Sequence, residues 1–332
     1  MRKIDIIHKP VLLKPVLEKL IINNNLNYFL DCTLGEGGHS EAILKSNPNV
    51  RVVGIDRDIE IIKIANERLK DYSDRFISFK SNFIDIDRET FLKLFHSKKW
   101  NIKSSTPEDN TIKDNAIFDV ILIDLGISTF HYKASGRGFS IFECERLDMR
   151  LDNSDISAFD VVNSYSYEDL VKIFFQYGEE KFSREIAKRI VKEREKKVIN
   201  YTNDLASIVK DSIPVKFHKK NIHPATKVFQ AIRIEVNHEL DNIKKGIDSA
   251  LKLLKPNGKI GVITFHSLED RIVKEYFNYL AKECICPPKF PKCVCDKKAI
   301  MKDISKPISP DYKEIEDNPP ARSSKLRIGV KV

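Results

Sequence analysis

Within Phe29-Leu-Asp-Cys-Thr-Leu-Gly-Glu-Gly-Gly-His-Ser40 an apolar run gives way to a glycine-rich turn, and a second run, Val52-Val-Gly-Ile-Asp56, ends on a carboxylate. A strand, a glycine turn, a helix start and an acid about 20 residues further on can hold a nucleotide, with the backbone close to the ligand and the acid on a ribose. Gly35, Gly37 and Gly38 crowd together, and His39 stands where the backbone should run onto a pyrophosphate. That spacing argues against NAD. S-adenosylmethionine fits better, because it has no pyrophosphate and needs only close backbone approach beside its methionine tail. Two more positions carry chemistry: Asp124 in Ile123-Asp-Leu-Gly126, and Phe83 in Ser81-Asn-Phe83. A flat ring at Phe83 can lie on an adenine while Asp56 accepts hydrogen bonds from ribose hydroxyls; taken alone, Phe83 also reads as a core residue and either acid as a turn or cap residue.

These positions need a frame that brings them together. Apolar runs at Tyr28–Cys32, Arg51–Ile55, Arg75–Phe79, Ile117–Asp124 and Lys259–Phe265 read as buried strands and alternate in part with helical patterns, which predicts an α/β fold with a parallel, doubly wound sheet. Ligands of such sheets bind at the carboxyl edge, where the glycine turn, Asp56, Phe83 and Asp124 all fall. Asp58–Lys70 reads as an amphipathic helix. The repeat from Phe229 to Leu254 reads as one long helix, started by Pro224 and stopped by Lys255-Pro-Asn-Gly258. Between Asp124 and that helix lie far too many residues for a connection, so an inserted, mostly helical domain is expected over 128–221, with 1–127 and 222–332 forming the sheet domain. Its helices are read at Ser166–Tyr177, Glu180–Lys197 and Thr202–Ile213, with Ser166 and Thr202 as N-caps. Residues 101–115 read as a polar loop, and the alternation of Leu326, Ile328, Val330 and Val332 as a last strand.

The motifs as a series resemble a known family. Asp31-Cys-Thr-Leu-Gly-Glu-Gly-Gly-His-Ser40, Asp124-Leu-Gly-Ile-Ser128, Arg137-Gly-Phe-Ser140, Leu147-Asp-Met-Arg150, Arg233-Ile-Glu-Val-Asn237, Phe265-His-Ser-Leu-Glu-Asp-Arg271 and Ala321-Arg-Ser-Ser-Lys-Leu-Arg327 are similar to those of the bacterial 16S rRNA (cytosine-N4)-methyltransferases of the RsmH or MraW type. They run in order over nearly the whole chain. The resemblance implies a class I (Rossmann-like) methyltransferase sheet with an inserted helical domain for RNA recognition. It implies methyl transfer to the exocyclic N4 of a cytosine, in the decoding region of 16S rRNA or an assembled 30S subunit. It implies cofactor contacts at Gly37, Gly38, His39, Asp56, Phe83 and Asp124. The family places a glutamine in a Ser-Ser-Pro-Gln run after Asp-Leu-Gly; here the run is Ser128-Thr-Phe-His131, with His131 at the glutamine's position. Lys14-Pro15 is a smaller departure, standing where the family has an acidic and a small apolar residue.

Asp124 is the expected acceptor for the amine that attacks the methyl group, or a holder of cofactor only. His266-Ser-Leu-Glu-Asp270 fits two readings: Ser267 with Asp270 as a helix cap, or His266 facing the incoming base. For RNA, Arg137 and Arg150 are candidates for phosphate and Phe139 for base stacking, against a surface ion pair and a packed aromatic. Arg184, Lys188 and Lys192 share a helix face that reads as solvated or as a phosphate track. Cys284-Ile-Cys286 and Cys293-Val-Cys295 offer four thiolates to a structural zinc, although one residue between paired cysteines is fewer than in the usual knuckle; a reducible surface loop is the alternative. The formal charge of +9 fits a polyanionic partner. No apolar run reaches membrane-spanning length and the first residues lack a leader pattern, so a cytoplasmic protein is expected. A nicotinamide oxidoreductase and a non-catalytic RNA-binding factor are the competing readings; cofactor binding and methyl transfer separate them. A DNA amino-methyltransferase would carry Asp/Asn-Pro-Pro-Tyr where Asp124-Leu-Gly-Ile127 stands.

Overall fold

The computed structural model describes residues 9–21, 26–100, 116–152, 155–220, 222–287, 289–290 and 292–332; the expected loop at 101–115 lies outside them. The strands are β1 (Tyr28–Asp31), β2 (Arg51–Asp56), β3 (Phe76–Lys80), β4 (Phe118–Asp124), β5 (Leu254–Thr264), β6 (Met301–Lys302) and β7 (Lys325–Lys331). The helices, in chain order, are α1 (Leu13–Pro15), α2 (Gly38–Ser46), α3 (Ile59–Arg68), α4 (Arg88–Ser97), α5 (Thr129–Lys133) and α6 (Ala158–Ser164). They continue as α7 (Tyr167–Gln176), α8 (Ser183–Lys196), α9 (Thr202–Ser212), α10 (Thr226–Asn237), α11 (Glu239–Leu253), α12 (Ser267–Leu280) and α13 (Tyr312–Asp317). Two compact units result, one running up to Gly126 and resuming over Asn242–Val332, the other Ile127–Asp241.

The first unit holds a seven-stranded sheet in the order β3-β2-β1-β4-β5-β7-β6. The strands from β3 to β5 are parallel, and β7 runs antiparallel to both neighbours. This is the expected Rossmann-like α/β sheet. β1 is central, with Asp31 in register with Gly54 on one side and Leu122 on the other. The flanking strands therefore run two residues further, to Asp56 and Asp124, before the chain leaves the sheet. A cluster of Tyr28, Phe91, Phe95, Trp100 and Phe118 packs edge-on and stacked at 5.0–6.5 Å between ring centroids. Burying each such ring stabilises by about 1.5–3 kcal/mol. β6 has only two residues, and no sequence period marks it.

Asp58 caps α3 by accepting from the Glu60 amide at 2.9 Å. Three local expectations are corrected. The repeat from Phe229 to Leu254 is two helices, broken where His238 adopts the left-handed conformation at φ 50°. Pro224 lies outside the first of them, which starts at Thr226. Lys255-Pro-Asn-Gly258 does not stop the second helix from outside a strand: it forms the irregular start of β5, where the pairing with β4 shifts register. The face of β7 opposite Leu326 and Ile328 is covered, since Arg327 is only 6% exposed and Lys331 Nζ donates to the Leu251 and Leu254 carbonyls at 2.8 and 2.7 Å.

The second unit is helical. Its core takes Val161, Leu170, Phe174, Ile186, Ile190, Leu205 and Val209 from α6–α9, and Val228, Phe229, Ile232 and Val236 from α10. α10 thus belongs with these helices, and the contact boundary falls at Asp241 rather than at 221. Ser166 caps α7 through the Asp169 amide at 3.1 Å. Thr202 is not a cap; its hydroxyl donates to the Glu143 carbonyl and accepts from the Glu145 amide at 3.1 Å, which ties the loop before α6 to α9. The motif Arg233-Ile-Glu-Val-Asn237 knots this unit. Arg233 grips Glu239 at 2.8 and 2.9 Å, Glu235 accepts from Tyr165 Oη at 2.8 Å, and buried Asn237 bonds the backbones of Met149 and Leu151 at 2.8 and 3.0 Å.

Candidate functional site

The carboxyl ends of β2, β1, β4 and β5, adjacent in the sheet, carry Asp56, Asp31, Asp124 and, two residues past the end of β5, His266. The glycine turn follows β1. Gly37 stands at φ +80°, and a Cβ there would lie 3.0 Å from Leu69 Cδ1, so only glycine fits both the conformation and the space. Asp56 clips the turn: its Oδ2 accepts from the Gly35 amide at 2.9 Å and its Oδ1 from the Asp58 amide at 3.0 Å. Gly38 opens α2, whose first-turn amides lack helical partners.

His39 is 6% exposed, and its Nε2 lies 3.5 Å from Asp124 Oδ2. Neither ring nitrogen makes a hydrogen bond, and Asp124 Oδ1 is buried without one. The Asp124 backbone is fixed separately, its amide donating to Thr33 Oγ1 at 2.6 Å. Three buried polar atoms without a hydrogen bond, two on His39 of α2 and one at the end of β4, are out of place in a core, where such groups are normally paired. They suit a polar ligand. Asp31 completes the cluster. It is 1% exposed, accepts from Ser40 Oγ at 2.7 Å, and burial pushes its carboxyl up to about 6, with His39 and the Ser40 hydroxyl opposing and Asp124 reinforcing the rise. The sequence reading passed over Asp31. Its signal was an acid at the very end of an otherwise apolar strand, beside Cys32, whose thiol burial drives well upward.

Phe83 is 9% exposed and lies on Gly246 of α11, where a Cβ would come within 2.0 Å of the ring. Ser249 Oγ fixes the same loop by donating to the Ile84 carbonyl at 2.8 Å. The ring is therefore held by the helix it packs on. His266 caps α12: its Nδ1 accepts from the Glu269 amide at 3.4 Å, Glu269 Oε2 accepts from the His266 and Phe265 amides at 3.3 and 2.7 Å, and Nε2 lies 3.2 Å from Glu269 Oε1. This corrects the Ser267–Asp270 cap. Asp270 instead pairs with Arg327 at 2.7 Å and Lys325 at 2.9 Å, joining α12 to β7.

In the helical unit, His131 is buried, 3.2 Å from Ser128 Oγ and with its ring 5.4 Å from Phe139. Phe139 is 4% exposed within the apolar core, which corrects its expected role in stacking on a base: the packed reading holds because Arg137-Gly-Phe-Ser140 folds inward. Arg137 donates to the Arg150 carbonyl at 3.1 Å, and Arg150 forks onto Asp148 at 2.6 and 3.1 Å. Arg184, Lys188 and Lys192 are exposed along one side of α8 and, among the described residues, make no ion pair, whereas Arg189 is held by Glu193 at 2.9 Å. Cys284, Cys286, Cys293 and Cys295 converge, with all four sulfurs within 4.8 Å of one another.

A Rossmann-like sheet with a glycine turn, an acid row and an inserted helical unit is the frame of a methylase. The chain belongs to the MraW methylase family, whose model matches residues 5–332. Among curated relatives it is 44% identical over 328 residues to ribosomal RNA small subunit methyltransferase H of Halothermothrix orenii, covering 98% of each chain. It is 44% identical, with the same coverage, to the enzyme of that name from Treponema denticola. The enzyme of that name from Nitratiruptor sp. is 43% identical over 325 residues, 97% of each chain.

Proposed function

We propose that this chain transfers a methyl group from S-adenosylmethionine to the exocyclic N4 of a cytosine in 16S rRNA, in the decoding region of the small ribosomal subunit, and does so in the cytoplasm. Among the described residues no helix is long and apolar enough to cross a membrane. The observation that carries the reading is the buried His39–Asp124 pair with ligand-seeking atoms at the sheet's carboxyl edge, in a chain whose family is methylases.

The residues present fit the cofactor. Gly37 and Gly38 allow close approach of backbone, Asp56 places a carboxylate at the end of β2 for ribose hydroxyls, and Phe83 offers an apolar ring for an adenine; His39 and Asp124 supply polar atoms that the fold leaves unused. When bound, the cofactor supplies an electrophilic methyl group on a sulfonium.

The chain's own residues answer the difficulty on the other side of the reaction. The N4 amine is a poor nucleophile because its lone pair is delocalised into the ring, so its orientation matters most. Holding a well-oriented pair supplies on the order of 7–11 kcal/mol of the barrier. Asp124 Oδ1 accepts a hydrogen bond from the amine, which orients it and stabilises the positive charge that develops on nitrogen as it is alkylated. The base must leave its stack to reach this atom. The exposed Arg184, Lys188 and Lys192 provide a phosphate track on the helical unit. The test is incubation of 30S particles that lack the modification with labelled cofactor, followed by nucleoside analysis of the RNA. N4-methylcytidine is expected; its absence from every ribosomal substrate, with cofactor still bound, defeats the assignment and leaves a non-catalytic binding factor.

A further inference from the structure

Between α12 and β6, the described residues from Ala281 to Ile300 form neither helix nor strand, and each of them is exposed or partly exposed. Its ends are pinned together, with the Ile300 amide donating to the Leu280 carbonyl at 2.9 Å. Among the described residues nothing apolar within it is buried: Ile285, Phe290 and Val294 are 49%, 53% and 67% exposed. A loop of this length gains no burial to offset the entropy of ordering it.

What it has instead is four sulfurs brought from two Cys-x-Cys pairs. Cys293 Sγ lies 3.5 Å from Cys295 Sγ, and Cys295 Sγ lies 3.8 Å from Cys284 Sγ. Four sulfurs at about 2.3 Å from a tetrahedral zinc stand about 3.8 Å from one another. These contacts are far too long for a disulfide, and the cysteines are free. Backbone amides surround the cluster as they surround metal-bound thiolates: Ile285 N donates to Cys295 Sγ, Cys286 N to Cys284 Sγ and Val294 N to Cys286 Sγ, each at 3.4 Å. The single residue between paired cysteines, which told against zinc in the sequence, is accommodated in the first pair because the Cys286 amide turns back onto the Cys284 sulfur.

We propose that Cys284, Cys286, Cys293 and Cys295 bind one structural Zn²⁺, which fixes a lysine-rich surface loop in place of a hydrophobic core. The four positions leave no open coordination site, so the metal is structural rather than catalytic. Lys282, Lys289, Lys292, Lys297 and Lys298 ride on the loop, and the clasp sets their spacing. The proposal is independent of the methyl-transfer reading and is tested on the full chain, purified under reducing conditions without chelator. Metal analysis should find close to one zinc per chain. Cobalt added to the metal-stripped, fully reduced chain should give the d–d and thiolate charge-transfer bands of a tetrahedral sulfur site. Paired replacement by Cys286→Ser and Cys293→Ser should abolish both, while Cys144→Ser, outside the cluster, should change neither. Thiol titration of the unaltered chain guards against misfolded variants: a chelator should expose four additional reactive thiols. Failure of the reduced chain to take up zinc or cobalt, or a thiol count that chelation leaves unchanged, overturns the proposal.

Discussion

Asp31→Asn is predicted to stabilise the protein at neutral pH and above. The carboxyl is fully buried at the end of the central strand, and burial raises it from 3.8 to about 6. An acid raised on folding binds its proton more tightly in the native state, so its contribution is most favourable below the unfolded value and is lost as pH rises through about 6. Integrating between those two values gives about 3 kcal/mol of lost stability at pH 8 and about 1.5 kcal/mol at pH 5. Asparagine keeps an acceptor for the Ser40 hydroxyl and does not titrate. The variant should therefore exceed the parent by up to about 3 kcal/mol at pH 8, with the gap narrowing by about half at pH 5. Trp100, the chain's only tryptophan, is buried beside Tyr28 and Phe95, so its fluorescence during urea unfolding reads out the sheet unit that contains Asp31. A variant no more stable than the parent at pH 8, or a gap that does not change with pH, would falsify the view that the site holds a desolvated carboxylate. A buried charge retained against stability is what a ligand site, rather than a core, tolerates.

Three further outcomes follow from the same geometry. Asp124→Asn should lower methyl transfer to 30S particles by about 10²–10³-fold with unfolding unchanged; near-normal turnover would remove Oδ1 from the reaction. Asp270→Asn should destabilise by about 3–5 kcal/mol, because it leaves the buried Arg327 guanidinium without its acid. Burial alone would raise the Asp270 carboxyl, but Arg327 and Lys325 hold it below the usual range, so its stabilisation is present at neutral pH and is lost as pH falls through that lowered value; denaturant midpoints at pH 7 that match between variant and parent would contradict it. Replacing Arg184, Lys188 and Lys192 together by alanine should weaken RNA binding and flatten the plot of log affinity against log salt by about 2. An unchanged slope would leave that face of α8 simply solvated.

The outline of the fold was legible wherever one element satisfied itself locally. Five of the buried strands appear in the sequence as apolar runs, the glycine turn as its spacing, and Asp56 and Asp124 as acids where those runs stop. α3 and the cap at Ser166 were readable for the same reason. Failures came where a pattern has two physical solutions. Apolar residues at three and four run through His238 because α10 and α11 each keep that period, so nothing in the periodicity announces the reversal. His266 caps α12 although Ser267 is the commoner capping type, because its imidazole nitrogen reaches the Glu269 amide. Phe139 reads as a ring for stacking until the turn that carries it folds into a core.

By itself, the sequence determined the parallel sheet, the inserted helices, the carboxyl-edge acids and the membership of a methylase family, because each is written in neighbouring residues and their periods. Only the tertiary structure decided that His39 meets Asp124, that Asp31 is buried enough to be raised, that Asp270 answers Arg327, and that two Cys-x-Cys pairs close on one point. Those are encounters between residues from 7 to 85 positions apart, and their distances depend on strand order and loop closure, which no local period records.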